Sequence, residues 1–236
     1  MRRQPLKGLL MFTLFSAKMY FILAFGLSLL GGIVTLIFGA TPVIGMINFA
    51  LFGPFYLLLN ADAMKVDKTK WEKFQLSMPI RRQDVISAKY IFYLLLTVLA
   101  LLITGVTEGI AHLLNHLDII QYGMFNSGVI GSEIYEAMSI TPRQLSLNAT
   151  LLILGLSLLT CALYYLLTYS IFKGKEELAS VVVLFGNAVI SALLFNVSMR
   201  MEFTFNQTVI LAVLVPALLF VLFYFFTVKV YQKIDV

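Results

Sequence analysis

One cysteine, one tryptophan and two histidines occur in 236 residues, and only 12 % of the chain is charged. A lone Cys161 excludes an internal disulfide and any multi-cysteine zinc centre. There is no Gly-x-x-x-x-Gly-Lys-Ser/Thr phosphate loop; Lys173-Gly174-Lys175 lacks both the glycine spacing and the hydroxyl. ATP binding by that route is excluded on this chain. His-Glu-x-x-His and Gly-x-Ser-Gly are missing too, which removes zinc-peptidase and rhomboid-like protease chemistry. No internal repeat or low-complexity tract is present, and no short signal peptide with a cleavage site precedes the first apolar run.

What the chain does have is apolar surface. Sixty per cent of it is hydrophobic, with 20 Phe and 11 Tyr, and mean hydropathy is +0.93. A soluble domain is about 45–50 % apolar and about 25 % charged, so this is a membrane composition. Six stretches reach the ~20 residues that a spanning helix needs: 19–39, 43–60, 85–114, 145–172, 178–199 and 207–230. The first two are separated only by Ala40-Thr41-Pro42, where Gly39 and Pro42 mark a tight turn. The expected fold is therefore all-α and integral to the membrane, one domain over residues 1–236.

Residues 1–18 read as a helix lying in the membrane interface. Leu6, Leu9, Leu10, Thr13 and Ala17 share one face, with Arg3, Lys7 and Lys18 on another. A plain extension of the first span is the competing reading. With the N-terminus inside and six spans, both termini are cytoplasmic. Of 17 Lys and Arg, only Arg143 and Arg200 then fall outside. That segregation obeys the positive-inside rule. The net charge of +5 is thus an orientation signal, with no nucleic-acid partner implied.

The cytoplasmic loop 61–84 is the most patterned part of the chain. Thr69-Lys70-Trp71-Glu72 has the capping-box spacing, and Trp71, Phe74 and Met78 recur on one helical face until Pro79 ends the segment. Two readings of this helix stand. Trp71 is an interfacial anchor beside ordinary positive-inside charge, or Trp71 and Phe74 are buried anchors for a cytoplasmic partner.

The run WEKFQLSMPIRRQDVISAKY resembles the signature of bacterial ABC-2 type permeases, in which a Trp, a Ser-x-Pro-Ile-x-Arg core and a Lys-Tyr pair join the second and third of six spans. Trp71, Phe74, Ser77, Pro79, Ile80, Arg82 and Lys89 match it, and Met78 lies within it. Arg81 stands where the family more often has a small polar residue. The resemblance implies the permease subunit of an exporter in the bacterial plasma membrane. Its coupling helix, over residues 69–80, docks on a separate ATPase that holds ATP and Mg, so the permease is not itself an enzyme and carries no cofactor. It further implies a second permease subunit and an amphipathic or hydrophobic cargo, peptides among the candidates.

Polar residues inside the spans are the remaining candidates. Glu108, His112 and His116 follow at i, i+4 and i+8 with Asn115 beside them. Such spacing puts them on one face, as a metal site or proton relay requires, although the length of the third span carries them toward the outer headgroups, where a water-exposed helix end is the simpler account. An ion-coupled metal or small-molecule transporter built on these three is the alternative to an exporter, and a non-transporting scaffold or sensor subunit is another. Ser28, Asn48 and Asn187, with Glu108 and His112, are the candidate pathway or packing residues, joined by Gly53 and Pro54. Ala24, Ser28 and Gly32 form a stripe of small residues suited to close helix packing, as do Ala188, Ser191 and Ala192; within the chain or between subunits, both readings stand. Glu176-Glu177 resembles the paired glutamates of a family of intramembrane proteases, but Ala179–Val183 lacks the arginine that should follow. The pair complements the dipole at the start of the fifth span. Residues 115–144 form the longest outer connection, and Thr141-Pro142-Arg143-Gln144 supplies helix-start signals for the fourth span.

Overall fold

The computed structural model describes residues 4–37, 42–53, 56, 81–117, 142–172, 175, 178–187, 189–190, 207 and 209–233. All regular structure among them is helical. In chain order the helices are α1 (Gln4–Ser16), α2 (Lys18–Ile37), α3 (Pro42–Phe52), α4 (Arg82–His116), α5 (Pro142–Ser170), α6 (Leu178–Asn187) and α7 (Val215–Gln232). A π-helical turn, Ile210–Leu214, leads into α7.

Four of these elements are long and apolar enough to cross a membrane: α2, α4, α5, and α7 with its π turn. They fall in the first, third, fourth and sixth expected spans. The second and fifth are represented by α3 and α6, of 11 and 10 residues, and the rest of each lies outside the described residues. Residues 38–41, where the sequence placed a turn, lie outside the described residues, and Pro42 opens α3 at a position where its missing N–H costs nothing. Helix α4 has 35 residues, about 52 Å of rise against a hydrocarbon core of about 30 Å. Both of its ends therefore project beyond the apolar slab.

Helix α5 is the axis of the bundle. No residue from 150 to 170 is exposed, and Ser157, Thr160, Cys161, Ala162, Tyr164, Tyr165 and Thr168 are buried. Helix α7 packs along α5, and α3 wedges between α4 and α5. In contrast, α2 shows Ile22, Leu23, Leu29, Leu30 and Ile33 to the outside, and α7 shows Leu218, Val221, Phe225 and Phe226. Apolar surface of this extent has no place in water and suits lipid. The inner face of α2 is Ala24, Ser28, Gly32 and Thr35, the small-residue stripe, and it packs inside this chain: a Cβ added at Gly31 would lie 3.3 Å from the Ile47 side chain of α3. Ala188, Ser191 and Ala192 lie outside the described residues or side chains.

Helix α1 is set off from α2 at Ala17, although the bonds from the Ala17 N–H to the Thr13 carbonyl and from the Phe21 N–H to the Ala17 carbonyl carry the helical ladder through it. Leu9 and Ala17 are buried, Leu10 and Thr13 half-buried, and Lys7 and Lys18 exposed, so the face read from the sequence is the face that packs. Leu9 joins Val85 and Ala88 of α4 in a small core, with Leu10 and Tyr231 against it. The chain's beginning, the start of α4 and the end of α7 thus share one end of the bundle. Tyr169 at the close of α5 lies there as well, bonded to Lys89. The described basic side chains collect at that end: Lys7, Lys18, Arg81, Arg82, Lys89, Lys175, Lys229 and Lys233.

Candidate functional site

The first three turns of α4 follow directly on the patterned loop. Asp84 sits in the first turn, its charge suited to the helix N-terminus, and its N–H closes a turn on the Arg81 carbonyl at 2.8 Å. The Arg82 guanidinium donates to the Gln232 carbonyl at the end of α7, 3.1 Å away. Two hydroxyl pairs follow. Ser87 Oγ lies 2.8 Å from Tyr224 Oη and 2.8 Å from the Gln83 carbonyl. Thr227 Oγ1 lies 3.0 Å from Tyr90 Oη and 2.8 Å from the Phe223 carbonyl. A hydroxyl has one proton to give. Ser87 and Thr227 give theirs to their own helices, so Tyr224 donates across the α4–α7 interface, while the Tyr90 proton is shared between Thr227 and the Ala162 carbonyl of α5, 3.4 Å away. The Tyr90 ring also meets Phe220 and Tyr224 edge-on, at 5.1 and 5.3 Å.

Lys89, the lysine of the motif, points into aromatic surroundings. Its ammonium donates to the Tyr169 hydroxyl and stands 5.2 Å from the Tyr169 ring centre and 5.9 Å from that of Tyr165. Cation–π attraction of about 0.5–2 kcal/mol holds such a charge near the interface. The motif in the sequence points to Lys89 but not to its partners. Tyr165 and Tyr169, one turn apart on α5, were the available signal, since a tyrosine in lipid keeps its hydroxyl for a polar group.

Deeper in the bundle, Ser28 Oγ donates to Asn48 Oδ1 at 2.6 Å, and Asn48 Nδ2 donates to Thr104 Oγ1 at 3.1 Å. Three helices, α2, α3 and α4, are tied by one amide that is 0 % exposed. Gly45, three residues before Asn48, lets α3 approach α5: a Cβ there would stand 3.0 Å from Thr150 Oγ1. At the end of α3, Gly53 is pressed onto the Tyr93–Ser157 pair, whose hydroxyls are 3.2 Å apart; a Cβ on it would lie 2.9 Å from each oxygen. Asn187 of α6 donates to Thr160 of α5. The structure therefore brings Ser28 and Asn48 together and places Asn187 on a different seam. In this arrangement all three hold helices to one another.

Glu108 and His112 lie at the far end of α4, half-buried and exposed respectively, with His116 exposed beyond them. Eight residues of helix separate Glu108 from His116, about 12 Å of rise. Among the described residues no three of His, Cys, Asp and Glu come together to hold a metal ion. Trp71, Phe74, Ser77, Met78, Pro79 and Ile80, and with them the helix expected over 69–80, lie outside the described residues; so do Pro54 and residues 118–141.

Comparison with known proteins gives one positive finding. The family model described as ABC-2 family transporter protein matches residues 8–232, nearly the whole chain. No curated protein matches the chain, and no solved structure does.

Proposed function

Because the chain belongs to the ABC-2 transporter family, we propose that it is the permease subunit of an ATP-driven exporter and that it moves an amphipathic or hydrophobic cargo, peptides included, out of a bacterial cell. The match over residues 8–232 carries this reading. The sequence supports it by lacking a phosphate loop, which leaves hydrolysis to a separate subunit carrying ATP and Mg. The fold supports it through four helices able to span and through the end at which α1, the start of α4 and the ends of α5 and α7 meet with the basic residues. In the proposed orientation that end faces the cytoplasm, and six spans return both termini to it.

In this reading the 69–80 helix docks on the ATPase, with Trp71 and Phe74 as anchors and Arg82 at the rim. Two permease chains build one unit in this reading, as the family resemblance implies. ATP-driven closure of the ATPases pushes the docked helix and, through it, α4. The test is co-purification. The wild-type protein should carry a nucleotide-binding subunit out of native membranes, and Trp71→Ala with Phe74→Ala should lose it while remaining in the membrane. Unchanged retention by the double variant would rule out docking through this helix. An ion-coupled transporter using Glu108, His112 and His116 is the second reading, and the family match favours the exporter over it.

A further inference from the structure

We propose that α7 is a lever: Tyr224 and Thr227 bind its lower half to the base of α4, and the π turn at Ile210–Leu214 is its fulcrum. This rests on the permease reading, in which force enters at the start of α4.

The attachment is extensive. Arg82–Gln232, Ser87–Tyr224 and Tyr90–Thr227 join the two helices, and Val85 and Ala88 pack with Leu9 and Tyr231 beside them. These contacts cover nine residues of α4, about 12 Å of rise. The Tyr90–Thr227 pair is buried, and Val85 and Ala88 are buried beside it, so water does not reach these contacts and α7 follows when the base of α4 moves.

The other end of α7 is built differently. The Val215 N–H returns five residues, to the Ile210 carbonyl, and Pro216 has no N–H to return to Ala212, four residues back. The Ala212 carbonyl instead abuts Gly155 of α5, so closely that an added Cβ would stand 1.8 Å from its oxygen and 2.9 Å from Pro216 Cγ. A π turn exchanges register with α-helix by one residue without exposing a run of backbone, and a glycine beneath it offers no side chain to block rotation. Outward, Leu218, Val221, Leu222, Phe225 and Phe226 are exposed on this chain, so among the described residues no other helix of the same chain obstructs that side. Neither the loop motif nor the family match assigns α7 this role.

The sole cysteine reports the movement. Cys161 of α5 is fully buried in the core to which α2 to α7 contribute, so a swing of α7 against α5 changes its access to N-ethylmaleimide. The wild-type complex with its co-purified ATPase, in liposomes, should alkylate at Cys161 at different rates without nucleotide and when trapped with Mg-ATP and vanadate. Tyr224→Phe with Thr227→Val removes two hydroxyls at nearly constant shape. It should keep the ATPase and its vanadate trapping but reduce the difference in alkylation rate about eight-fold, roughly three-fold per pair. Ser87→Ala should give the three-fold effect alone and decides the matter if the double variant does not accumulate. Equal nucleotide responses in variant and wild type overturn the lever and leave the permease reading standing, as does a wild-type Cys161 indifferent to nucleotide. Failure of the wild type to retain any ATPase overturns the permease reading, and the lever with it.

Discussion

Removing the Asn48 amide should loosen three helices at once. Asn48 spends its oxygen on Ser28 and a nitrogen on Thr104, at 2.6 and 3.1 Å and full burial. Interhelical hydrogen bonds in membranes average about 0.6 kcal/mol, with a maximum near 1.7, so two of them are worth about 1.2 kcal/mol here. The penalty for orphaned partners is small, because Ser28 and Thr104 each sit in a helix and can turn to the carbonyl one turn back, as Thr97, Thr107 and Thr168 already do. Asn48→Leu also forces extra volume into a close-packed site, which adds about 1–3 kcal/mol of its own. A double-mutant cycle separates the two effects. Ser28→Ala and Thr104→Val should each show a coupling of about 0.6 kcal/mol with Asn48→Leu, measured by reversible unfolding in mixed micelles. Couplings indistinguishable from zero for both pairs would refute the amide as a tie between α2, α3 and α4.

Two further expectations follow from packing. Gly155→Ala should destabilise the bundle by more than about 1–3 kcal/mol, because its Cβ would meet a backbone carbonyl at 1.8 Å, whereas Gly105→Ala, with nothing within 4 Å, should leave the melting temperature unchanged or raised by the better helix propensity of alanine. Equal effects at both glycines would contradict the α5–α7 contact. Without nucleotide, Cys161 should resist maleimide in folded protein and react fully in denaturing detergent, since it is 0 % exposed; rapid labelling of the folded, nucleotide-free protein by mass spectrometry would show that α5 is not the enclosed helix.

Local pattern was enough for much of the fold. Hydropathy located four helices able to span the membrane. The starts of α3 at Pro42 and of α5 at Pro142 followed from proline's missing donor. The 3.6-residue period of α1 marked Leu9 and Ala17 as the packed face before any partner was known. The run from 207 to 230, however, read as one uniform helix, and the π turn within it was not legible. Pro216 signals a disturbed ladder, but which register replaces it depends on Gly155, more than fifty residues away in the chain.

By itself, then, the sequence determined that this is a helical membrane protein, where its main helices begin, and the motif that joins it to its family. Tertiary structure alone decided which polar side chains reach across. A hydroxyl within a helix satisfies itself on its own backbone, so no local pattern distinguishes Thr97, bonded only to the Tyr93 carbonyl, from Thr227, which also receives Tyr90 from 137 residues away. Only the way the helices dock places Asn48 between Ser28 and Thr104, or sets the base of α4 against the end of α7.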